Sequence, residues 1–367
     1  MTEPSHRRSL RSLTVRAALR VLTAVQTPAP PVEEPVEVPE PEPPPQPQPA
    51  DPTRFVRELT PGLLAYEQGL ATDLLYRRLS DTDIAAVEQL IRDTPGAWEH
   101  YAAAPEGAAR RHVLLAFGVW LGAQNLVEKT GLTDAQPPEG IHVMARGPLS
   151  AAGGLYEADI VVDALAGAGV DMQDVRDGLD FGCSSGRVTR TLQAAYPNAR
   201  WHGCDPNVPA IEWAGENLPG IEFFVNDNAP PLPLADGSLD MAYAISIWSH
   251  FAPELGLGWF EEMRRLIRPG GHLVCTTHGL ISVAYSSAHG RSEEQVEEIL
   301  GALYHQGWWY APEFGEEGDW GVVNPDWGTA FLSPEWMLTH LCPRWRVLEF
   351  APGRNQDNQD VYVLQRV

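Results

Sequence analysis

One segment constrains the fold more than any other part of the chain. Its sequence, Leu-Asp-Phe-Gly-Cys-Ser-Ser-Gly-Arg, begins at Leu179 and joins an apolar run to a tight turn that contains two glycines. A second apolar run follows and ends at Asp205. Backbone N–H groups at a helix start bind a negative group, and an acid at the end of the next strand binds ribose hydroxyls. The segment therefore predicts a nucleoside site on a parallel α/β sheet, although its Gly-x-x-x-Gly spacing does not meet the dinucleotide fingerprint.

Four motifs in one order carry a resemblance to a known family. Residues 180–186 resemble the first motif, Asp/Glu-x-Gly-x-Gly-x-Gly, of the class I S-adenosylmethionine-dependent methyltransferases, with Ser184 in place of the middle glycine. Asp205 matches the family's ribose-binding acid. Residues 232–240 resemble its Leu-Pro-Phe-x-Asp-x-Ser-Phe-Asp run, and residues 268–271 resemble its Arg-Pro-Gly-Gly turn. The resemblance covers residues 156–367.

The resemblance implies an α/β fold and a cofactor. We expect a Rossmann-like, seven-stranded, mostly parallel sheet whose last strand is antiparallel, with helices on both faces. The alternation of apolar runs predicts a helix near 157–168. It predicts strands near 178–182, 200–204, 221–225, 240–246, 272–277, 345–350 and 360–366. The family is enzymatic and uses S-adenosyl-L-methionine, so the chain is expected to be a methyltransferase.

The resemblance also assigns cofactor-binding residues. They are Asp180, Gly182, Cys183, Ser184, Gly186 and Asp205, which lie in or beside the first two motifs. Asp227 and Asn228 follow the third strand, where the family often places an acid against the adenine amine. Asx residues before prolines are also common turn formers, so a local role for these two stays open.

Histidines follow two strands at the same edge of the expected sheet. His250 comes after the fourth strand and His278 ends the fifth. A histidine near its ordinary pKa of about 6.5 can act as a general base. We therefore predict both as catalytic residues for transfer to oxygen, with a capping or packing role as the alternative. No carboxylate lies at ligand spacing, so no metal site is predicted.

Residues 279–332 form a long insertion that we expect to act as a lid over the active site. Its aromatic residues include Trp309 and Tyr310, predicted to stack on a small-molecule or glycan acceptor. The alternative is that they form the lid's own core. Trp248, after the fourth strand, and Arg354, in the last hairpin, complete the predicted substrate-binding set. An exposed hairpin tip is the alternative for Arg354.

The rest of the chain divides by composition. Residues 1–26 are basic and can form a short amphipathic helix that meets a membrane surface or a protein partner, or remain a disordered tail. Residues 27–52 hold 12 of the 33 prolines and predict an extended linker. Residues 53–135 have helical periodicity and predict a small helical domain, and 136–155 read as a connector.

Charge and cysteine content narrow the function. The net charge of −23 argues against a nucleic-acid substrate, which usually needs a basic face. The four cysteines include no Cys-x-x-Cys pair, which favours free thiols in the cytoplasm. Two alternatives to a methyltransferase remain: a non-catalytic scaffold with the same fold, and another transferase that uses the same cofactor.

Overall fold

The main sheet is the frame on which every other element is placed. In the computed structural model, which describes residues 70–141, 148–313, 324 and 326–367, its strand order is β3-β2-β1-β4-β5-β9-β8. Strand β9 runs antiparallel to both neighbours, whereas the pairs among β1 to β5 are parallel. The predicted seven-stranded sheet with an antiparallel last strand is therefore confirmed. Its strands are β1 (Asp177–Phe181), β2 (Arg200–Asp205), β3 (Ile221–Val225), β4 (Leu239–Ala244), β5 (Ile267–His278), β8 (Trp345–Asn355) and β9 (Gln359–Arg366).

Helices precede the sheet and connect its strands. Ser80 and Ser292 begin two of them with capping boxes, and Asn207 caps a third, so the turn-forming residues set where these helices start. The helices are α1 (Ala71–Tyr76), α2 (Asp81–Arg92), α3 (Ala97–Ala103), α4 (Ala108–Trp120), α5 (Gln124–Thr130), α6 (Pro148–Gly167), α7 (Thr189–Ala195), α8 (Val208–Asn217), α9 (Pro253–Leu266), α10 (Leu280–Ala288), α11 (Glu293–His305) and α12 (Pro334–Leu341).

Helix α6 is longer than the sequence predicts. It begins at Pro148, inside the segment 136–155 that was expected to be a connector, and includes Gly153 and Gly154. Glycine is a poor helix former, which is why the pair suggested a break. A Cβ atom at Gly154 would lie 2.6 Å from the carbonyl oxygen of Arg187. The glycine therefore allows α6 to pack directly against the turn after β1.

Helices α1 to α5 share a hydrophobic core with the sheet. One buried cluster includes Leu75 and Phe117 from these helices together with Trp201 and Tyr243 from the sheet. Polar bonds join the same parts: the Arg78 guanidinium donates to the carbonyl oxygens of Thr130, Ala194 and Ala195 at 2.7 to 3.0 Å. The boundary predicted at residue 135 is therefore a change in sequence pattern only, because one hydrophobic core continues across it.

The insertion 279–332 contains two helices and a small hairpin. Helices α10 and α11 are followed by β6 (Trp308–Ala311), which pairs antiparallel with β7 (Thr329–Leu332). Trp309 and Phe331 pack with α11 in a separate small cluster. Part of the insertion therefore forms its own core, which is the alternative that the sequence left open for its aromatic residues.

The predictions for residues 1–26 and 27–52 lie outside the described residues. Within the described ranges, every helix is too short or too polar to span a membrane.

Candidate functional site

A cavity lies at the carboxyl ends of β1, β2, β3 and β4. Ligands of open α/β sheets bind beyond these ends, where the strand order reverses, and here the reversal lies between β1 and β4. The cavity opens to solvent, and about 1080 Å³ of unfilled space, part of it open solvent, lies between its walls. Its described lining residues are Glu157, Asp180, Phe181, Gly182, Cys183, Ser184, Ser185, Arg187, Val188, Asp205, Pro206, Asn226, Asp227, Asn228, Ile245, Ser246, Ile247, Phe251, Trp259, Asn324 and Trp327.

The turn after β1 has the backbone that a close ligand approach needs. Gly182 has a φ of +83°, and a Cβ atom there would lie 2.1 Å from Cδ1 of Ile247. Ser184 also adopts a positive φ, +50°, in the left-handed region that favours glycine. This explains how serine occupies a position where the family has glycine: the turn is kept, with some backbone strain.

Asp205 is held by two main-chain donors. The N–H of Ser184 donates to its Oδ2 and the N–H of Asn207 to its Oδ1, each at 2.8 Å. The carboxyl group is nearly buried, and this burial raises its pKa. Each oxygen keeps a lone pair after accepting one bond, so the fixed carboxylate can accept from vicinal hydroxyl groups.

Two further acids line the cavity beside the turn. Asp180 accepts from the Thr189 hydroxyl at 2.5 Å, and burial raises the pKa of Asp180 to about 7. Glu157 on α6 pairs with Arg187 at 2.6 Å, and burial raises the pKa of Glu157 as well. Arg187 is the single basic side chain among the described lining residues, and it is neutralised by this pair. The cavity therefore favours a ligand that carries positive charge.

Asn226 is a site residue that the sequence prediction missed. It follows Val225 at the end of β3, one position before the predicted pair Asp227 and Asn228. Its Nδ2 donates to the carbonyl oxygen of Asp227 at 2.7 Å, and its buried Oδ1 has no hydrogen-bond partner among the described residues. A buried acceptor without a donor costs stability, so a ligand amine would satisfy it.

Most of the predicted cofactor-binding residues come together in this cavity. Asp180, Gly182, Cys183, Ser184, Asp205, Asp227 and Asn228 all line it. Gly186 lies in the same turn, with a φ of +74°, but outside the lining. The described residues contain no group of three or more side chains with metal-ligand geometry.

Two of the predicted substrate-binding residues lie outside the cavity lining. Trp248 is fully buried: its indole N–H donates to the Gly256 carbonyl oxygen at 3.1 Å, and its ring stacks on Phe260. Arg354 pairs with Asp163 on α6 at 2.9 Å. Neither side chain lines the cavity, because Trp248 fills the core under α9 and Arg354 joins the last hairpin to α6.

The other two predicted substrate-binding residues also lie outside the cavity lining. The Trp309 indole N–H donates to Glu298 at 3.0 Å, and its ring packs edge-on against Phe331. Tyr310 lies on β6 opposite Ala330. Both residues belong to the hairpin of the insertion, and neither lines the cavity.

The two histidines predicted as catalytic lie behind the cavity wall. His250 donates from Nδ1 to the Gly328 carbonyl oxygen at 2.8 Å, and His278 donates from Nδ1 to that of Ala330 at 3.2 Å. Burial, with the nearby His250, lowers the pKa of His278 to about 3. An imidazole with so low a pKa is a weak proton acceptor, which argues against a general-base role for His278.

The far wall of the cavity is mainly apolar and was not predicted. Ile247 and Phe251 follow β4, Trp259 lies on α9, and Trp327 comes from the end of the insertion. Phe251 and Trp327 meet through an isolated antiparallel bridge, with ring centroids 5.5 Å apart. Their sequence carries no motif, and only this long-range pairing brings them together.

Ser246 is held between the ends of three strands. It has a φ of +62°, and its N–H donates to Thr276 Oγ1 at 2.7 Å. Gln359 donates from Nε2 to Ser246 Oγ at 2.7 Å and accepts from the Thr276 hydroxyl at 2.7 Å. Because the Ser246 oxygen accepts from Gln359, its own hydrogen is left to donate to Ser249 or into the cavity.

Known proteins are similar to the part of the chain that contains the turn after β1 and Asp205. Residues 179–271 fit the family model described as a methyltransferase domain. Malonyl-[acyl-carrier protein] O-methyltransferase of Hahella chejuensis is 30% identical over 103 residues, which are 28% of this chain and 36% of that protein. Trans-aconitate 2-methyltransferase of an Azoarcus species is 31% identical over 106 residues, 29% of this chain and 40% of that protein. The chain thus spans less than half the length of these curated relatives.

Two solved structures are similar in outline. The S-adenosylmethionine-dependent methyltransferase of Mesorhizobium loti has a TM-score of 0.39 at 16% identity, over 55% of this chain and 96% of that one. The S-adenosylmethionine-dependent methyltransferase of Methanosarcina mazei has a TM-score of 0.38 at 19% identity, and the match covers 53% of this chain and 94% of that one.

The sheet order defines a Rossmann-like domain with a cavity at the carboxyl ends of its parallel strands. Together with the family model over residues 179–271, the sheet order and the cavity indicate a methyltransferase domain, and S-adenosyl-L-methionine is the cofactor that the resemblance implies.

Proposed function

We propose that the protein is an enzyme that transfers a methyl group from S-adenosyl-L-methionine to a small-molecule acceptor, at an oxygen atom. The observation that carries the proposal is Asp205, fixed by two backbone donors at the edge of a cavity that also contains the turn after β1. The trans-aconitate 2-methyltransferase supports a small-molecule acceptor, and the O-methyltransferase name of the other relative supports oxygen.

The cavity fits the cofactor in three respects. Asp205 would hold the ribose hydroxyls, and the unpartnered Oδ1 of Asn226 would accept from the adenine amine. The buried carboxyl groups of Asp180 and Glu157 would face a ligand with sulfonium and ammonium charges. A nearby positive charge lowers the pKa of a carboxyl group, so binding would favour the ionised form of Asp180, whereas Glu157 is already paired with Arg187.

The residues of the chain would act mainly by alignment. Methyl transfer from a sulfonium is an in-line displacement in which the cofactor supplies the driving force. The apolar wall of Ile247, Phe251 and Trp327 would exclude water from the reacting groups. Stacking on Trp309 and Tyr310 was the feature that favoured a glycan, and neither lines the cavity, so a small acceptor is the better supported class.

A cytoplasmic location is part of the proposal. All four cysteines are free, and Cys183, Cys204 and Cys275 are buried. Free thiols are typical of proteins in a reducing compartment.

Calorimetric titration of S-adenosylmethionine tests the proposal. We expect micromolar binding, about −8 kcal/mol, to the wild type, and its loss in Asp205→Ala. Asp93→Ala, an exposed acid at the end of α2, is the matched control and should bind normally. Folded wild-type protein that binds neither S-adenosylmethionine nor S-adenosylhomocysteine would favour the scaffold alternative.

The reaction class is tested separately, by mass spectrometry of an acceptor panel incubated with the cofactor. Methylated product supports the proposal. Aminopropyl transfer from the decarboxylated cofactor, without methyl transfer, would instead show another transferase on the same fold.

A further inference from the structure

Residues 326–330, here called the cover segment, are joined to residues 249–252 after β4. Three main-chain hydrogen bonds of 2.7 to 3.1 Å connect them in antiparallel register. The bonds run from Ala252 N to Asp326 O, from Gly328 N to His250 O, and from Ala330 N to Ser249 O. The cover segment is thus a paired part of the cavity wall.

Both histidines bind the main chain of the cover segment. Their Nδ1 atoms donate to alternate carbonyl oxygens, those of Gly328 and Ala330. The His250 ring also stacks on the Trp327 indole, with centroids 4.8 Å apart and planes 13° from parallel. Each histidine therefore satisfies a carbonyl group, and His250 also fixes the orientation of Trp327.

Trp327 forms part of the cavity wall. It lines the wall together with Phe251, on which it packs edge-on. Its buried N–H group has no hydrogen-bond partner among the described residues. A buried donor without an acceptor is unfavourable, and a polar atom of a bound ligand would remove that penalty.

We propose that Trp327 contacts bound S-adenosylmethionine, and that His250 and His278 are positioning residues that hold the cover segment and Trp327 in place. This rests on the proposed function, since it concerns the same cavity. It assigns the histidines a role other than the general-base role that the sequence predicts for them.

Histidine suits this position because its neutral ring both donates and accepts. His278 donates from Nδ1 to Ala330, and its Nε2 lies 3.4 Å from Nε2 of Gln359, which can donate to it. The neutral tautomer with its proton on Nδ1 satisfies both contacts of His278. Gln359 also donates a hydrogen bond to Ser246. The cover segment and Ser246 are therefore fixed by one connected set of hydrogen bonds.

Cofactor affinity separates a positioning role from a catalytic one. A general base acts on the acceptor, so its removal leaves cofactor binding unchanged, whereas loss of a residue that holds Trp327 weakens it. We expect Trp327→Ala to weaken S-adenosylmethionine binding roughly tenfold, from the worth of an aromatic contact, and Trp327→Phe to weaken it less. Trp120→Phe, a tryptophan exposed at the end of α4, is the control and should bind as the wild type does.

A double-mutant cycle with His250→Ala completes the test. His250→Ala should weaken binding, and adding it to Trp327→Ala should have little further effect, because both act through the indole. His250→Gln, which keeps an N–H donor, should restore part of the affinity.

Two results would overturn the proposal, both read against a wild type that binds the cofactor. One is unchanged affinity in Trp327→Phe and Trp327→Ala. The other is an effect of His250→Ala that adds fully to that of Trp327→Ala. Thermal melting of each variant identifies any that fail to fold. If His250→Ala is one of these, the Trp327→Phe result still tests the contact with the cofactor.

Discussion

The two walls of the cavity are built in different ways. The nucleoside wall consists of the turn after β1, Asp205 and Asn226, which come from the ends of neighbouring parallel strands. The cover wall joins Phe251, just after β4, to Trp327 near the end of a long insertion. One wall follows from the strand order of the sheet, and the other from a single long-range pairing. We therefore expect the first to be less tolerant of substitution than the second.

The largest effect should come from the turn in the nucleoside wall. Gly182→Ala places a Cβ atom against Ile247 at a φ of +83°, so it should destabilise the fold and abolish measurable cofactor binding. Chemical denaturation and calorimetry measure the two effects. Gly215→Ala is the matched control: its helical site on α8 is open, and alanine there should stabilise by about 0.5 to 1 kcal/mol. A tolerated Gly182→Ala would show that the turn can move away from Ile247.

Substitution of Asn226 tests the register of the same wall. Asn226→Ala removes the unpartnered Oδ1 acceptor, and we expect S-adenosylmethionine binding to weaken about tenfold, the worth of one hydrogen bond. Asp227→Ala, one residue further on, should have a smaller effect. Equal or reversed effects in calorimetric titration would return the adenine contact to the predicted Asp227.

The pH dependence of cofactor affinity should be smaller and specific to the cavity. Burial raises the pKa of Asp180 to about 7, from an ordinary value near 4. A cationic ligand prefers the ionised carboxylate, so affinity should rise between about pH 6 and pH 8 as the proton leaves. Asp180→Asn should flatten this rise in titrations across that range.

Asp159 offers a control for that experiment, because its pKa is also raised to about 7 by burial. It lies on α6, accepts from the Thr72 N–H at 2.9 Å, and does not line the cavity. Asp159→Asn should leave the pH dependence of affinity unchanged. For both acids the native state binds more protons than the unfolded state between about pH 4 and pH 7, so their contribution to stability falls as pH rises through that window.

The smallest effect should come from a residue of the insertion that was predicted to bind substrate. Trp309→Phe keeps the ring contact with Phe331 and loses the bond to Glu298, so affinity for S-adenosylmethionine should stay within about twofold while stability falls by about 1 kcal/mol. Calorimetry and denaturation measure the two. A large loss of affinity would contradict the conclusion that only the cover segment, and not the rest of the insertion, affects cofactor binding.

The nucleoside wall was largely predictable because its determinants are local. A glycine turn after an apolar strand and an acid after the next one fix both the fold and the edge at which the ligand binds. The choice among the three Asx residues that follow β3 was not predictable in the same way, because sequence alone does not show which side chain lacks a partner.

The cover wall was not predictable from the same sequence. Trp309 and Trp327 are both tryptophans of one insertion, and their neighbours do not distinguish them. Only the bridge from Phe251 to Trp327 places one in the cavity, while the pairing of β6 with β7 turns the other toward α11. The histidines were assigned to the correct edge, but their Nδ1 bonds depend on carbonyl groups far along the chain.

The position of β9 has a consequence for synthesis on the ribosome. This strand is made after β8 but lies between β8 and β5, and its first residue, Gln359, supports Ser246. A nascent chain can form the nucleoside wall while residues 359–366 are still in the exit tunnel, with the edge of β5 unpaired. The cavity is therefore completed only after β9 has joined the sheet, which makes ligand binding a report on a finished sheet.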